Sequence, residues 1–336
     1  MSWRDRRLIE IALLLASLIL SFAILEFVLR IQYRREHQRL AGKDPNREFC
    51  TTAADDPVLI YRYVPNRPGC ETNSQGYRDH EHAFKKQAGV FRIVIIGDSV
   101  AEGWGVPREQ AFARVAEKEA SRLLSRRVEA IILARQGYST SQELVLLRSE
   151  AFRYDPDLIV WSYVLNDPAD PVFHNENSEA GRFFFRPKVF LFHFVRQELF
   201  WFHERIARIS CGSEYHELLH CAYWNNIGDY FREIGALARA HSVPVLFLLS
   251  PVFEGSSFDR YTLKGLHQRL IELAAHDGLQ PLDGLDCYRD HTPDELRLHR
   301  EVFDPWHPNP KAHAILGKCL AAAISSGQFS ELQGGT

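Results

Sequence analysis

The stretch VFRIVIIGDS, residues 90–99, decides how the chain is read. Its first eight residues form a short β-branched and apolar run, broken by Arg92 and closed by Gly97. Runs that are apolar almost throughout, without polar alternation, belong to strands covered on both faces. Asp98 and Ser99 follow at once, so the hydroxyl of Ser99 stands where a strand turns into a helix.

The pattern repeats downstream. A helical pattern runs from Arg108 to Leu124, and VEAIILA (128–134) reads as the next strand. Ser139 can cap a helix continuing to Phe152, with Gln142 placed for a capping box. DLIVWSYV (157–164) is a third strand, followed by a long insertion, 168–222. Helix 224–241 leads to VPVLFLLS (243–250), helix 257–276 leads to LQPLDGL (279–285), and a last helix runs from Lys311 to about Ser325. Five such strands alternating with amphipathic helices predict a five-stranded parallel sheet covered by helices on both faces. In such sheets ligands sit at the carboxyl ends of the strands.

Upstream, 57–79 is rich in Pro, Gly and Asn and predicts extended segments and turns. Residues 30–55 are charged and read as a juxtamembrane stalk. LIEIALLLASLILSFAILEFVL (8–29) is long enough to cross a bilayer, for which ~20 apolar residues suffice. Ser21-Phe22-Ala23 resembles a signal-peptide cleavage site, but the apolar run continues past it, beyond the usual ~7–15-residue signal core. The expected organisation is an anchoring segment (1–29), a stalk and lead-in (30–89), a catalytic domain (90–325) carrying the insertion 168–222, and a tail (326–336).

Charge narrows the partners. Forty basic residues against 43 acidic leave a net charge of −3, so nothing global favours nucleic acid. Arginines flank the apolar run on both sides, Arg4, Arg6 and Arg7 before it and Arg30, Arg34, Arg35 and Arg39 after it, so flanking charge does not orient it. The six cysteines fall as Cys50/Cys70, Cys211/Cys221 and Cys287/Cys319, an even set that disulfides could consume, with buried thiols as the alternative. The expectation is a single-pass membrane protein with its globular part outside the cytoplasm, in a periplasmic or equivalent space.

Each strand end carries a candidate group: Ser99 after the first strand, Gly137 after the second, Asn166-Asp167 after the third. The closing loop FDPWHPNP (303–310) sets Asp304 three residues before His307 and stiffens both with prolines 305, 308 and 310. A serine hydroxyl needs a base to take its proton, and His307 is the candidate base. Asp304 can hold the ring in one tautomer and stabilise the imidazolium. The backbone N–H groups of Ser99 and Gly137, with the side-chain amide of Asn166, could form an oxyanion hole.

With these residues in place the chain resembles the SGNH (GDSL-type) hydrolases over about 90–325, whose four blocks are matched by Ser99, Gly137, Asn166 and His307, with Asp304 as the triad acid. The segment NSQGYRD (73–79) resembles the lead-in of many bacterial members. The resemblance implies a flavodoxin-like three-layer α/β/α fold and hydrolysis or transfer of ester-linked acyl groups without cofactor or metal. The chain departs from the family pattern in reading GDSV at the first block, Arg135-Gln136 where an Asn is common, and Val164 where Gly is usual.

The expected function is therefore a serine esterase acting on an ester-linked acyl group, such as an O-acetyl on a polysaccharide, with O-acyl transfer to a sugar hydroxyl as the alternative. Two readings from other classes compete. HELLH (216–220) matches a zinc-peptidase pattern, but it has no clear third ligand, and Cys211 and Cys221 bracket it. An inactive tethered binding module would not need Ser99, Asp304 and His307 together. The aromatic stretch GRFFFRPKVFLFHFVRQELFWFHERIAR (181–208) reads as packing on the core, a lid over the site, or an apolar face resting on a bilayer.

Overall fold

The computed structural model describes residues 3–41, 50–168, 187–300 and 303–326. A first helix, α1 (Trp3–Ala41), leads to a two-stranded antiparallel hairpin of β1 (Thr51–Ala53) and β2 (Tyr61–Tyr63). Then come β3 (Phe91–Gly97), α2 (Ser99–Glu102), α3 (Phe112–Leu123), β4 (Val128–Ala134), α4 (Thr140–Ser149) and β5 (Leu158–Val164). The insertion contributes α5 (Phe190–Cys211) and α6 (Tyr215–Ala222). The chain closes with α7 (Trp224–His241), β6 (Val245–Ser250), α8 (Lys264–His276), β7 (Gln280–Asp283), the short α9 (Gly284–Cys287) and α10 (Pro293–Leu296), and α11 (Pro310–Ser325).

The main sheet is parallel with order β4-β3-β5-β6-β7. This is the flavodoxin-like order, in which the chain reverses direction beside the first strand and opens a crevice there. Helices α3 and α11 pack together on one face, and α4, α7 and α8 cover the other. Every residue of β3, β5 and β6 is buried, Arg92 included, as runs apolar almost throughout require.

Several predicted helices are shorter than their periodicity suggested. Residues 108–110 form a separate 3₁₀ turn ahead of α3, 151–154 another after α4, and 258–260 a third before α8. The first N–H of α3, on Phe112, donates to Nδ1 of the buried His313 in α11 at 3.1 Å, so a tertiary contact sets that helix start. Burial pushes His313 down to about 3, which keeps this nitrogen an acceptor. The capping box is present, with Ser139 N donating to Gln142 Oε1 at 3.1 Å. At the last helix Asn309 caps Ala312 N, and Pro310 takes the first turn.

The lead-in 50–89 is stitched to the sheet. Strand β4 lies at an edge, and side chains take its outward backbone groups: Asp79 accepts from Ile132 N at 2.8 Å, Glu117 accepts from Ala130 N at 3.1 Å, and Arg114 donates to Ala130 O. An edge so occupied cannot template another strand. Burial acts to raise the Asp79 carboxyl, but the bond to His82 and the charge of Arg114 hold it below the usual range. Disulfides join Cys50–Cys70, Cys211–Cys221 and Cys287–Cys319, so all six cysteines are paired.

Helix α1 is continuous through the charged stretch expected as a stalk, as far as Ala41. Within its segment Asp5–Arg35 the most apolar 18-residue window has a mean hydropathy of 2.6, and none of that window is buried. The aromatics 181–186 lie outside the described residues.

Candidate active site

Ser99 is the first residue of α2, separated from the end of β3 at Gly97 by Asp98 alone. Gly97 is required there, because a Cβ would lie 2.7 Å from both Ala101 Cβ and Ser162 O. Asp98 caps the short helix through Val100 N at 2.9 Å. The tight turn sets the Ser99 hydroxyl against the closing loop.

Ser99 Oγ stands 2.9 Å from His307 Nε2, and His307 Nδ1 stands 2.8 Å from Asp304 Oδ2 and 2.9 Å from Oδ1. Three groups from opposite ends of the chain thus form an unbroken hydrogen-bonded relay. Asp304 Oδ1 also accepts from Trp306 N and His307 N, both at 3.2 Å, folding the loop over its own carboxylate. The loop is clamped from outside: Phe253 N donates to Pro305 O at 2.6 Å, Leu298 N to His307 O at 2.7 Å, and Asn309 N to Leu296 O at 2.8 Å. Burial acts to raise Asp304, but its bonds from His307 hold the carboxyl below the ordinary range, so it stays a carboxylate at neutral pH.

Gly137 has φ +77°, a left-handed conformation that a side chain would strain. Two tyrosines of the lead-in fix its loop. Tyr61 OH donates to Gln136 O, while Tyr63 OH donates to Glu102 Oε2 at 2.9 Å and Gln136 N donates to the same carboxylate at 2.6 Å. Burial pushes Glu102 up to about 7, with the negative charge of Asp98 adding to it. Asn166 sits in a turn held by Asp167, whose Oδ2 accepts from Val164 N at 2.7 Å. Its side-chain oxygen has no partner among the described residues. Burial raises Glu143 and Asp167 far above ordinary carboxylates, the charge of Asp98 adding to the first and those of Glu143 and Asp98 to the second, so both carboxyls are neutral.

Ser99, Gly137, Asn166, Asp304 and His307 therefore lie at one end of the sheet. Sequence reasoning missed four others. Asp98 Oδ2 lies 3.1 Å from Ser99 Oγ, a second partner for the hydroxyl. Trp104 packs on His307 with ring centroids 4.3 Å apart, and Arg300 covers Trp104 at 4.3 Å while reaching Asp304 Oδ2 at 3.4 Å. Glu102 is the fourth. Asp98 adjoins the serine and was open to inspection; Trp104, Arg300 and Glu102 carry no spacing signal.

The HELLH segment lies on α6, and all four ring nitrogens of its histidines are engaged. His216 Nδ1 meets Glu214 at 3.1 Å, and His216 Nε2 accepts from Trp306 Nε1 at 3.4 Å. His220 bonds to His216 O at 2.8 Å and to Tyr163 OH at 2.9 Å. His216 thus supports the closing loop through Trp306, while His220 ties α6 to β5.

A five-stranded doubly wound parallel sheet with serine, histidine and aspartate converging at its carboxyl end is the three-layer α/β/α arrangement of an SGNH-type hydrolase. Residues 95–315 match the GDSL-like Lipase/Acylhydrolase family, and the chain belongs to it. Among solved structures it resembles LAE5, an alpha/beta hydrolase from the metagenome of Lake Arreo, Spain (15% identity over 72% of this chain and 97% of that one, TM-score 0.45). The lipase/acylhydrolase from Enterococcus faecalis is also similar (15% identity, 70% and 96% covered, TM-score 0.43). So is Axe2, an acetylxylan esterase from Geobacillus stearothermophilus (12%, 71% and 95%, TM-score 0.46). No curated protein matches the sequence significantly.

Proposed function

We propose that Ser99, His307 and Asp304 are the catalytic triad of a membrane-anchored serine esterase that removes small acyl groups through an acyl-enzyme. The observation that carries this reading is the relay of 2.9 Å and 2.8 Å contacts from Ser99 through His307 to Asp304. His307 takes the serine proton as Oγ attacks the acyl carbon and returns it to the departing alkoxide; water then repeats the sequence on the acyl-serine. Ser99 N, Gly137 N and Asn166 Nδ2 would receive the oxyanion.

A small acyl group, such as an O-acetyl on a polysaccharide, is supported by the closeness of the site. Ser99 is only 5% exposed, and Trp104 crowds the base. Retention of α1 as an anchor is supported by its contacts with the body, since Glu26 accepts from Phe190 N and Leu191 N of α5. Three disulfides favour an extracytoplasmic catalytic body.

The test is a fluorophosphonate probe followed by p-nitrophenyl esters of rising chain length, with and without a sugar acceptor. Labelling at Ser99, its loss in Ser99→Ala together with turnover, and a preference for acetate are expected. Faster acyl release with the sugar would make transfer the reaction. Full turnover by Ser99→Ala would end the reading.

A further inference from the structure

Helix α5 is inside out. Glu204 and Ala207 are its buried residues. The opposite side carries Phe192, Val195, Leu199, Phe202, Ile206 and Ile209, spaced three and four apart, which stacks them in one stripe along the helix. Phe192 is 68% exposed, Leu199 62%, Phe202 60% and Ile209 86%. Phe194 and Trp201, also exposed, lie beside the stripe, with the exposed Glu198 and Arg205 between. A surface helix normally turns such a stripe inward, and an outward one marks a contact with another protein or a membrane.

The neighbouring helix indicates which. Glu26 of α1 accepts from Phe190 N at 3.1 Å and Leu191 N at 2.8 Å, two N–H groups that the start of α5 leaves unpaired. Arg30 donates to Lys188 O at 3.2 Å, and the rings of Phe22 and Tyr33 meet Phe192 and Phe190. A span needs ~20 residues, so an apolar run beginning at Leu8 leaves the hydrocarbon near Leu29. The start of α5 is therefore pinned to α1 at the level where α1 crosses the bilayer surface, and the two bare apolar faces adjoin. A second copy fits less well. The stripe is shorter than the ~3–4 heptads of a coiled coil, and Phe194 and Trp201 stand exposed outside such a seam. Three exposed arginines, Arg196, Arg205 and Arg208, outnumber the one exposed carboxylate of the helix, Glu198, as lipid headgroups would favour.

We propose that α5 lies in the headgroup–acyl boundary of the bilayer as an interfacial helix and holds the catalytic body against the membrane at a second point beside α1. The proposal rests on α1 being a retained anchor. It also bears on the site. The Cys211–Cys221 bridge ties the end of α5 to α6, and His216 of α6 supports Trp306 beside the base. The site is thus held at a set height above the surface, within reach of esters carried there.

The test uses the full chain in phosphatidylcholine/phosphatidylglycerol nanodiscs, with nitroxide labels at single added cysteines. Leu199→Cys and Ile206→Cys probe the stripe, Leu18→Cys the anchor, and Glu272→Cys an exposed site on α8. Power-saturation EPR should show the stripe labels relaxed more by oxygen than by a water-soluble nickel chelate, as at Leu18, with the order reversed at Glu272. Nickel access at 199 and 206 with Leu18 still lipid-exposed would overturn the proposal and leave the anchor standing. Nickel access at Leu18 would remove the anchor itself, and the proposal with it. Protection of the stripe from both agents with spin–spin broadening between copies would assign it to a dimer and overturn the proposal.

Discussion

Replacing Glu102 by Gln should change the pH dependence of stability in a calculable way. The carboxyl is buried between Tyr63 OH and Gln136 N, and a Gln side chain can keep one accepting oxygen for Gln136 while its amide faces the tyrosine. Burial pushes the carboxyl from 4.5 to about 7 in the folded protein. Below 4.5 the group is protonated in both folded and unfolded chains, and it costs nothing. Between 4.5 and about 7 the unfolded chain releases the proton while the folded one retains it, so stability falls as pH rises, and above about 7 the loss is constant. At ~1.4 kcal/mol for each pH unit, the gap amounts to about 3 kcal/mol. Gln does not titrate. Its stability relative to wild type should therefore improve by about 3 kcal/mol between pH 4 and pH 8. For a domain near this size that is roughly 6–12 °C in Tm. Differential scanning fluorimetry of both detergent-solubilised proteins at pH 4, 6 and 8 reads it. A difference in Tm that stays flat across the three would refute the argument, whatever its sign.

Three further outcomes follow from the site. Asp304→Asn should keep the loop, because one oxygen still accepts from Trp306 N and His307 N, yet it favours the wrong imidazole tautomer; a fall in kcat of ~10⁴ is expected in p-nitrophenyl acetate assays. Asn166→Ala removes one oxyanion donor and should lower kcat by ~10²–10³, with fluorophosphonate labelling of Ser99 slowed but still complete. Alkylation of protein unfolded without reductant should modify none of the six cysteines; six modified thiols by mass spectrometry would contradict the disulfides and the extracytoplasmic placement.

Much of this architecture is legible along the chain, for a physical reason. The strands of a sheet covered on both faces must be apolar almost throughout, and β3, β4, β5 and β6 show this directly. Local chemistry also marked Ser99, the capping box of α4 and the stiffened Asp304–His307 loop, because turns and caps depend on near neighbours. The weak edge strand β7, with its half-buried pattern, stops at Asp283, short of residue 285, because Asp283 caps a helix that begins at Gly284.

What periodicity cannot carry is which distant groups meet. Asp79 on the edge of β4, His313 on the first N–H of α3, Trp104 over His307 and the tyrosine clasp on Glu102 all pair residues far apart in sequence, and each is a single side chain without a repeat to announce it. HELLH illustrates the converse: its spacing suits zinc, and only the packing shows its rings bonded to Glu214, Trp306 and Tyr163. The outward stripe of α5 is likewise visible as a pattern in sequence. Its direction is set by what α5 packs against, and that is a property of the folded chain alone.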